Sequence, residues 1–201
     1  MATGLRERKK VATRQAIGRA ALTLATERGP GAVTVDDIAE AAGVSPRTVF
    51  NYFPTKEAAI LGVDPDRRRE LIERLDARPA AEAPLQALRE ALRASDDDDG
   101  DGAIAWRTRA RLAREHPQLQ SGYLAGFASL EDALTDAIAR RTGVDPTVDP
   151  YPRLVATAAL CALRVAVDHA IDQRRVDALP DAVDAAFAAL TAGLPAPRSP
   201  R

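Results

Sequence analysis

The side chains best suited to chemistry lie together on one short segment, SPRTVFNY. Arg47 can pair with guanine or with phosphate, Asn51 can bond to adenine, and the flat ring of Phe50 can contact thymine methyl groups. Thr48 and Tyr52 can donate hydrogen bonds to phosphates. These residue types, placed within two turns of one another, indicate a surface that binds double-stranded DNA.

A helix, a tight turn and a second helix are predicted to hold these side chains. Thr34 can cap the first helix, and Gly43 can end it in the left-handed conformation. Ser45 can cap the second helix, with Pro46 at its first position. Val49 and Phe53, four positions apart, form the buried side, so the polar and aromatic residues around them face outward. The geometry is that of a helix-turn-helix, whose second helix enters the major groove.

The N-terminal quarter of the chain is similar to the signature of the TetR family of transcriptional regulators. The matching positions are Ile17, Ala20, Ala21, Leu24, Glu27, Gly29, Thr34, Ile38, Ala39, Ala42, Gly43, Val44, Ser45, Thr48, Tyr52, Phe53 and Lys56. Spacing and resemblance together give the predicted DNA-binding residues Arg14, Thr34, Ser45, Pro46, Arg47, Thr48, Phe50, Asn51, Tyr52 and Lys56. Phe50 departs from the family, which commonly has a tyrosine there whose hydroxyl helps to bind phosphate, so the resemblance does not carry that contact over. Packing of Phe50 on its own domain is the alternative.

The net charge of −1 hides an asymmetry between the two ends of the chain. Residues 1–56 contain nine lysines and arginines against five acidic residues, a net charge of +4, and the remainder carries −5. Basic residues cluster between Arg6 and Arg14, where a mobile arm can neutralise phosphates. A solvated helix start explains the same cluster. The adjoining helix-turn-helix favours DNA.

Hydrophobic periodicity predicts an all-α protein of about nine helices, with a three-helix head and a larger helical body. After the head, one helix is expected over 56–63, with a break at Asp64-Pro65 before it resumes over 66–78. Further helices are expected from Leu85 and over 103–115, 118–141, 152–175 and 181–194. The predicted domains are a DNA-binding head at 1–56, a ligand-binding and dimerisation domain at 57–195, and a disordered tail at 196–201. The aspartate-rich run 95–102 is predicted to be a mobile loop, because a calcium loop would need a glutamate that is missing.

No pattern of catalytic or metal-ligating residues is present, so the sequence predicts neither an enzyme nor a cofactor or metal site. His116 and His169 belong to no metal-ligand spacing, and no nucleotide-binding glycine motif occurs. Cys161 lies in an apolar run, which predicts a small buried residue in a reducing compartment. The start of the chain is no signal peptide, and the run Leu154–Leu163 is too short to span a bilayer. A cytoplasmic protein without membrane contact is expected.

The helical body is predicted to dimerise and to bind a small molecule. Its sequence resembles the mycofactocin-regulator type of TetR C-terminal domain, which implies acyl-coenzyme A-like or other apolar anionic effectors. Aromatic side chains for an apolar pocket and cations for an anionic group are available. The predicted ligand-binding residues are Trp106, Arg109, Tyr123, Phe127, Arg164 and His169. Arg164 is singled out because it interrupts an apolar run and is expected to be a buried guanidinium with a partner.

The sequence therefore predicts a homodimeric transcriptional regulator that binds a palindromic operator. We expect a repressor that leaves the operator when an effector binds the body. The alternative is a constitutive DNA-binding dimer whose body senses nothing.

Overall fold

The computed structural model describes residues 2–63, 65–97, 102–173 and 179–196. Within these ranges the chain forms ten α-helices and no β-strand, which confirms the all-α fold class. The predicted count of about nine treats α4 and α5 as one interrupted helix. The helices are α1 (Ala2–Arg28), α2 (Val35–Ala42), α3 (Pro46–Tyr52), α4 (Lys56–Leu61), α5 (Pro65–Asp76), α6 (Pro84–Asp97), α7 (Gly102–Glu115), α8 (Pro117–Thr142), α9 (Tyr151–Asp172) and α10 (Leu179–Thr191).

The interruption between α4 and α5 begins earlier than predicted. Gly62 ends α4 with φ 61° and ψ 38°, the left-handed conformation that glycine adopts without strain. Its N–H donates to the carbonyls of Ala58 and Ala59. Pro65 then opens α5, where its fixed φ suits the first helical position and its missing N–H leaves no bond unmade. Of the predicted break Asp64-Pro65, Pro65 therefore marks the start of α5, while Gly62 marks the end of α4.

Several predicted ends shift by a few residues. The basic N-terminal segment belongs to α1 from Ala2 onward, so the expected mobile arm is helical in the described part. α6 continues to Asp97, and the beginning of the predicted acidic loop is therefore helical. Gly102, the last residue of that predicted loop, begins α7. Residues 98–101 of the loop and residues 197–201 of the predicted disordered tail 196–201 lie outside the described residues.

Contacts group the chain into two compact units. Unit 1 comprises Met1–Asp66 and Ala105–Gly126, and unit 2 comprises Arg67–Ile104 and Phe127–Arg201. Unit 1 is larger than the predicted head, because α4 packs on α1 and because α7 and the start of α8 contribute to its core. The functional division at residue 56 stays a prediction.

The core of unit 1 is apolar and continuous. Its buried side chains are Ile17, Ala21, Leu22, Leu24, Ala25, Val33, Ile38, Ala39, Val49, Phe53, Ala59, Ile60, Leu61, Leu112, Ala113 and Leu119. Members from α1, α2, α3 and α4 are brought together in this cluster, so burial of their apolar surface fixes the helix-turn-helix on α1.

Unit 2 is built around α9, which packs against α10 and α6. Phe187 is 1% exposed, and Leu88 of α6 and Val167 of α9 are fully buried. An ion pair joins α6 to α10, with Arg89 2.9 Å from Asp184. Alanines fill much of the buried side of α9, which allows the helices to approach closely.

The outward face of α9 differs from the prediction. Cys161 is exposed, so the expectation of a buried thiol is wrong: it lies on the same side as exposed Leu154 and Val165. By length and composition α9 can also cross a membrane, with 22 residues and a mean hydropathy of 1.7 over its best window. The helix is therefore longer than the apolar run Leu154–Leu163 on which the sequence argument was based. Nine of its residues are buried, as in a core helix of a globular protein, which meets the same criterion.

Candidate nucleic-acid interface

Local hydrogen bonds fix the start of α2 and set its angle to the preceding loop. The Thr34 hydroxyl accepts from the Asp37 N–H at 3.1 Å, and the Asp37 carboxylate accepts from the Thr34 N–H at 2.8 Å. These reciprocal bonds satisfy two donors that the helix itself leaves unpaired. The Thr34 hydroxyl, followed by its N–H, holds the pKa of Asp37 below its ordinary value. The predicted cap is confirmed, and Asp37 is the partner that the sequence reasoning missed.

The turn between α2 and α3 has the predicted chemistry. Gly43 has φ 66° and ψ 35°, and its N–H donates to the carbonyls of Ala39 and Glu40. Ser45 caps α3 by accepting from the Thr48 N–H at 3.1 Å, and Pro46 occupies the first turn. The chain therefore reverses tightly, and α3 begins at a defined residue.

One side of α3 is buried and the other is open. Val49 and Phe53 are 1% and 2% exposed, as their four-residue spacing predicts. Arg47, Phe50 and Asn51 are exposed, and Phe50 as a residue is 55% exposed. The alternative in which Phe50 packs on its own domain does not agree with this exposure. The geometry leaves one cation, one amide and one ring available to a ligand, while their contacts with DNA stay predictions.

The hydroxyls near α3 are engaged inside the protein. The hydroxyls of Ser45 and Thr48 bond to each other at 2.8 Å. The Thr34 hydroxyl donates to the Asp37 carboxylate. The Thr34 proton is directed to Asp37, and one of the two protons of the Ser45–Thr48 pair is directed to the other oxygen. One hydroxyl of that pair can therefore still donate to a phosphate, while Thr34 can only accept from an outside group.

Arg14 also turns towards the protein. Its guanidinium carbon lies 5.0 Å from the centre of the Phe53 ring and 5.7 Å from that of Tyr52. Its Nη1 donates to the Val63 carbonyl at 3.3 Å. An arginine that stacks on aromatic rings and donates a hydrogen bond to a carbonyl stabilises the fold of its own protein. The structure therefore gives Arg14 a place inside unit 1, whereas the sequence assigned it to phosphate.

Lys56 has a comparable internal role. Its ammonium donates to the carbonyls of Pro30 at 3.0 Å and Val33 at 2.8 Å. Two of its three protons thus hold the loop between α1 and α2 against the start of α4. Sequence reasoning missed this clamp, since nothing in a linear pattern shows which carbonyls approach a lysine 23 to 26 positions away.

Arg109 of α7, which is predicted to bind a ligand, contacts the end of α4. Its Nε donates to the Ile60 carbonyl at 3.1 Å. A Cβ built on Gly62 would lie 2.4 Å from the Arg109 guanidinium carbon, and one on Gly18 would lie 3.8 Å from its Nη2. The cation therefore sits against the carbonyl end of a helix, where positive charge is favourable.

The other predicted ligand residues are distributed over both units. Trp106 and Tyr123 are half-buried in unit 1, where Tyr123 packs against the apolar core of that unit. Phe127 is half-buried in unit 2. Arg164 and His169 are exposed, so the expectation of a buried Arg164 is wrong. Position 164 falls on the outward side of α9, three residues after exposed Cys161, and its Nη2 is 3.9 Å from that thiol.

One surface cavity of about 390 Å³ lies between α1 and α2. It is lined by Ala16, Arg19, Ala20, Thr23, Ala41 and Ala42. None of these is a predicted ligand residue. Among the residues with described side chains, no group of three or more histidines, cysteines and acidic residues is placed to hold a metal ion.

Comparison with known proteins agrees with this geometry. The family described as bacterial regulatory proteins, tetR family, matches residues 17–61, and the MftR C-terminal domain matches residues 82–195. The transcriptional regulator TcmR of Streptomyces glaucescens is 34% identical over 203 residues and covers 89% of both chains. This chain belongs to the TetR family of transcriptional regulators. It is thus a DNA-binding regulator from a family of non-enzymes, as the sequence predicted.

Further relatives support the assignment to the TetR family. The protein named MftR from Mycobacterium tuberculosis is 33% identical over 187 residues, covering 93% of each chain. The solved structure of FadR from Thermus thermophilus in complex with lauroyl-CoA has a TM-score of 0.57 and 25% identity, covering 94% of this chain and 98% of that one. FadR from Bacillus halodurans has a TM-score of 0.60 at 20% identity, a likeness that shows the shared fold.

Proposed function

We propose that this TetR-family regulator is a homodimeric, cytoplasmic repressor that leaves a palindromic operator when an apolar anionic molecule binds its helical body. The observation that carries the DNA-binding part is the open side of α3, where Arg47, Phe50 and Asn51 are exposed while Val49 is buried. Those three groups are complementary to base edges in the major groove.

The operator contacts can be tested by substitution on α3. An operator selected from random duplexes should bind in the nanomolar range at physiological salt. Arg47→Ala and Asn51→Ala should each weaken binding by about 5- to 150-fold and relax the preference at one base pair, because a bidentate base contact contributes roughly 1–3 kcal/mol. Exposed Glu40 of α2 provides a control, since Glu40→Gln changes a surface charge outside α3. Unchanged affinity of Arg47→Ala would show that α3 is not the reading helix.

The effector class is supported by relatives. The C-terminal match is to the MftR type, and the T. thermophilus FadR structure holds lauroyl-CoA. We therefore propose an acyl-CoA or a similar apolar anion, bound by the body at 57–195. Lauroyl-CoA should raise the melting temperature of the protein and release it from a fluorescently labelled operator duplex, whereas free coenzyme A should do neither. A panel of apolar anions that neither stabilises the protein nor releases DNA would favour the constitutive alternative.

Dimerisation is supported by the outward face of α9. Leu154 and Val165 are 64% and 55% exposed in the single chain, next to exposed Cys161. Apolar side chains on one helix face favour a protein partner, and a two-fold axis would pair two heads with two half-sites. Sedimentation velocity at micromolar concentration should give twice the mass of one chain. A monomer would exclude the palindromic operator.

A further inference from the structure

Phe50 is the most unusual side chain on the open side of α3. An exposed aromatic ring is ordinary on most protein surfaces. Here it is 55% exposed at the centre of a helix whose other exposed residues include Arg47 and Asn51. Residues three and four positions apart share a helix face, so Phe50 and Asn51 both neighbour Arg47. The ring therefore lies where base edges would be read.

The ring of Phe50 has no hydrogen-bonding group, which limits what it can recognise. It cannot bond to a phosphate or to the polar edge of a base. The one apolar group that bases present in the major groove is the C5 methyl group of thymine. The nearby hydroxyls of Ser45 and Thr48 are bonded to each other at 2.8 Å, which directs one of their two protons inward.

We propose that Phe50 is a specificity-determining residue that reads a C5-methyl group on a pyrimidine beside the base contacted by Arg47 or Asn51. This inference rests on the proposed assignment of α3 as the reading helix. It extends to modified DNA, because 5-methylcytosine carries the same methyl group as thymine and cytosine lacks it. The regulator then distinguishes methylated from unmethylated cytosine at that step.

Removing one methyl group from the operator tests the inference directly. Each thymine of the selected half-site is replaced by deoxyuridine, symmetrically and one position at a time, and affinity is measured by fluorescence anisotropy at fixed salt. For the wild type, at least one position should lose about fourfold per half-site, the effect of exposing one buried methyl group. The uracil pairs normally with adenine, so every hydrogen bond to the duplex is kept.

Variants at position 50 identify the side chain that senses the methyl group. Phe50→Ala should bind more weakly and lose the thymine-to-uracil effect at the sensitive position, whereas Phe50→Tyr keeps the ring and should keep the effect. Circular dichroism controls for folding. At the same position, cytosine should bind more weakly than 5-methylcytosine by about fourfold for the wild type and equally for Phe50→Ala.

Two outcomes overturn the inference while leaving the regulator function intact. One is a wild type that binds its operator but is insensitive to every thymine-to-uracil change. The other is a methyl effect that persists unchanged in Phe50→Ala, which would assign the reading to another residue. If Arg47→Ala left affinity unchanged, α3 itself would be misassigned and the inference would fall with it.

Discussion

Gly62 and Gly43 end two helices in the same backbone conformation, but of the two only Gly62 is closely approached by another side chain. Gly43 has φ 66°, and a methyl group added there would meet no described atom within 4 Å. A methyl group on Gly62, φ 61°, would meet the Arg109 guanidinium at 2.4 Å. Alanine in the left-handed region costs about 1–2 kcal/mol at either position. At Gly62 alone, the guanidinium, which is the far end of a flexible side chain, must also move away from the Ile60 carbonyl, and this adds at most about 1.5–3 kcal/mol.

We therefore expect Gly43→Ala to lower the free energy of unfolding by about 1–2 kcal/mol and Gly62→Ala to lower it by more, up to about 5 kcal/mol. Urea unfolding, followed by circular dichroism at fixed protein concentration, gives both values. The fluorescence of Trp106, the one tryptophan of the chain, reports on α7 in the same experiment.

A double-mutant cycle separates backbone strain from the clash. Arg109→Ala removes the clash and also the bond to the Ile60 carbonyl, which on its own costs about 1.5–3 kcal/mol. In Gly62→Ala/Arg109→Ala the bond to the Ile60 carbonyl is lost only once, so the two effects should fall short of additivity by up to about 1.5–3 kcal/mol. Equal destabilisation by Gly43→Ala and Gly62→Ala, or strict additivity in the cycle, would refute the close contact of Arg109 with the end of α4.

Three further predictions follow from the described contacts. Lys56→Met should lower the free energy of unfolding by about 1–3 kcal/mol, because the Pro30 and Val33 carbonyls lose a charged donor; an unchanged urea midpoint would contradict the clamp. The pKa of Asp37 is lowered by folding, so its contribution to stability is present above its unfolded value of roughly 3.9 and is lost as the pH falls through the folded value. Asp37→Asn should flatten that part of the acid-denaturation profile, and an unaltered profile would argue against the capping carboxylate. Val165→Glu should convert the proposed dimer to monomer in sedimentation velocity, whereas Leu124→Glu on α8, another exposed apolar-to-charge change, should leave that dimer intact. A dimeric Val165→Glu would show that the interface lies elsewhere.

Local rules explain why the helix-turn-helix could be predicted well. Each of three local features involves residues within five positions of one another: the cap at Thr34, the left-handed Gly43 and the cap at Ser45. Such features can therefore be inferred from the linear sequence. The four-residue spacing of Val49 and Phe53 was enough to define the buried side of α3. Such elements satisfy their own hydrogen bonds and need no knowledge of the rest of the fold.

Long-range contacts account for what the sequence reasoning missed. Arg109 bonds to a carbonyl 49 positions away, and Lys56 to carbonyls 23 and 26 positions away. Periodicity cannot reveal such partners. The sequence likewise shows that α9 is apolar on most sides. Which of its faces packs on α10 and α6 depends on how α9 is rotated about its own axis, and composition does not show that rotation. That rotation leaves Cys161 and Arg164 outward, against expectation.

The internal use of Arg14 changes the expected dependence of operator binding on salt. Each phosphate contact adds about 0.9 to the slope of log affinity against log salt. If Arg14 contacted phosphate in both heads of a dimer, Arg14→Met would flatten the slope by about 1.8. Because its guanidinium stacks on Phe53 and Tyr52 and bonds to the Val63 carbonyl, we expect Arg14→Met to weaken binding by loosening unit 1 while leaving the slope unchanged. Titrations between about 50 and 200 mM salt measure the slope, with exposed Lys9→Ala as a comparison on the same helix. A flattened slope for Arg14→Met would show that the guanidinium leaves the rings to bind DNA, and would restore the assignment made from sequence.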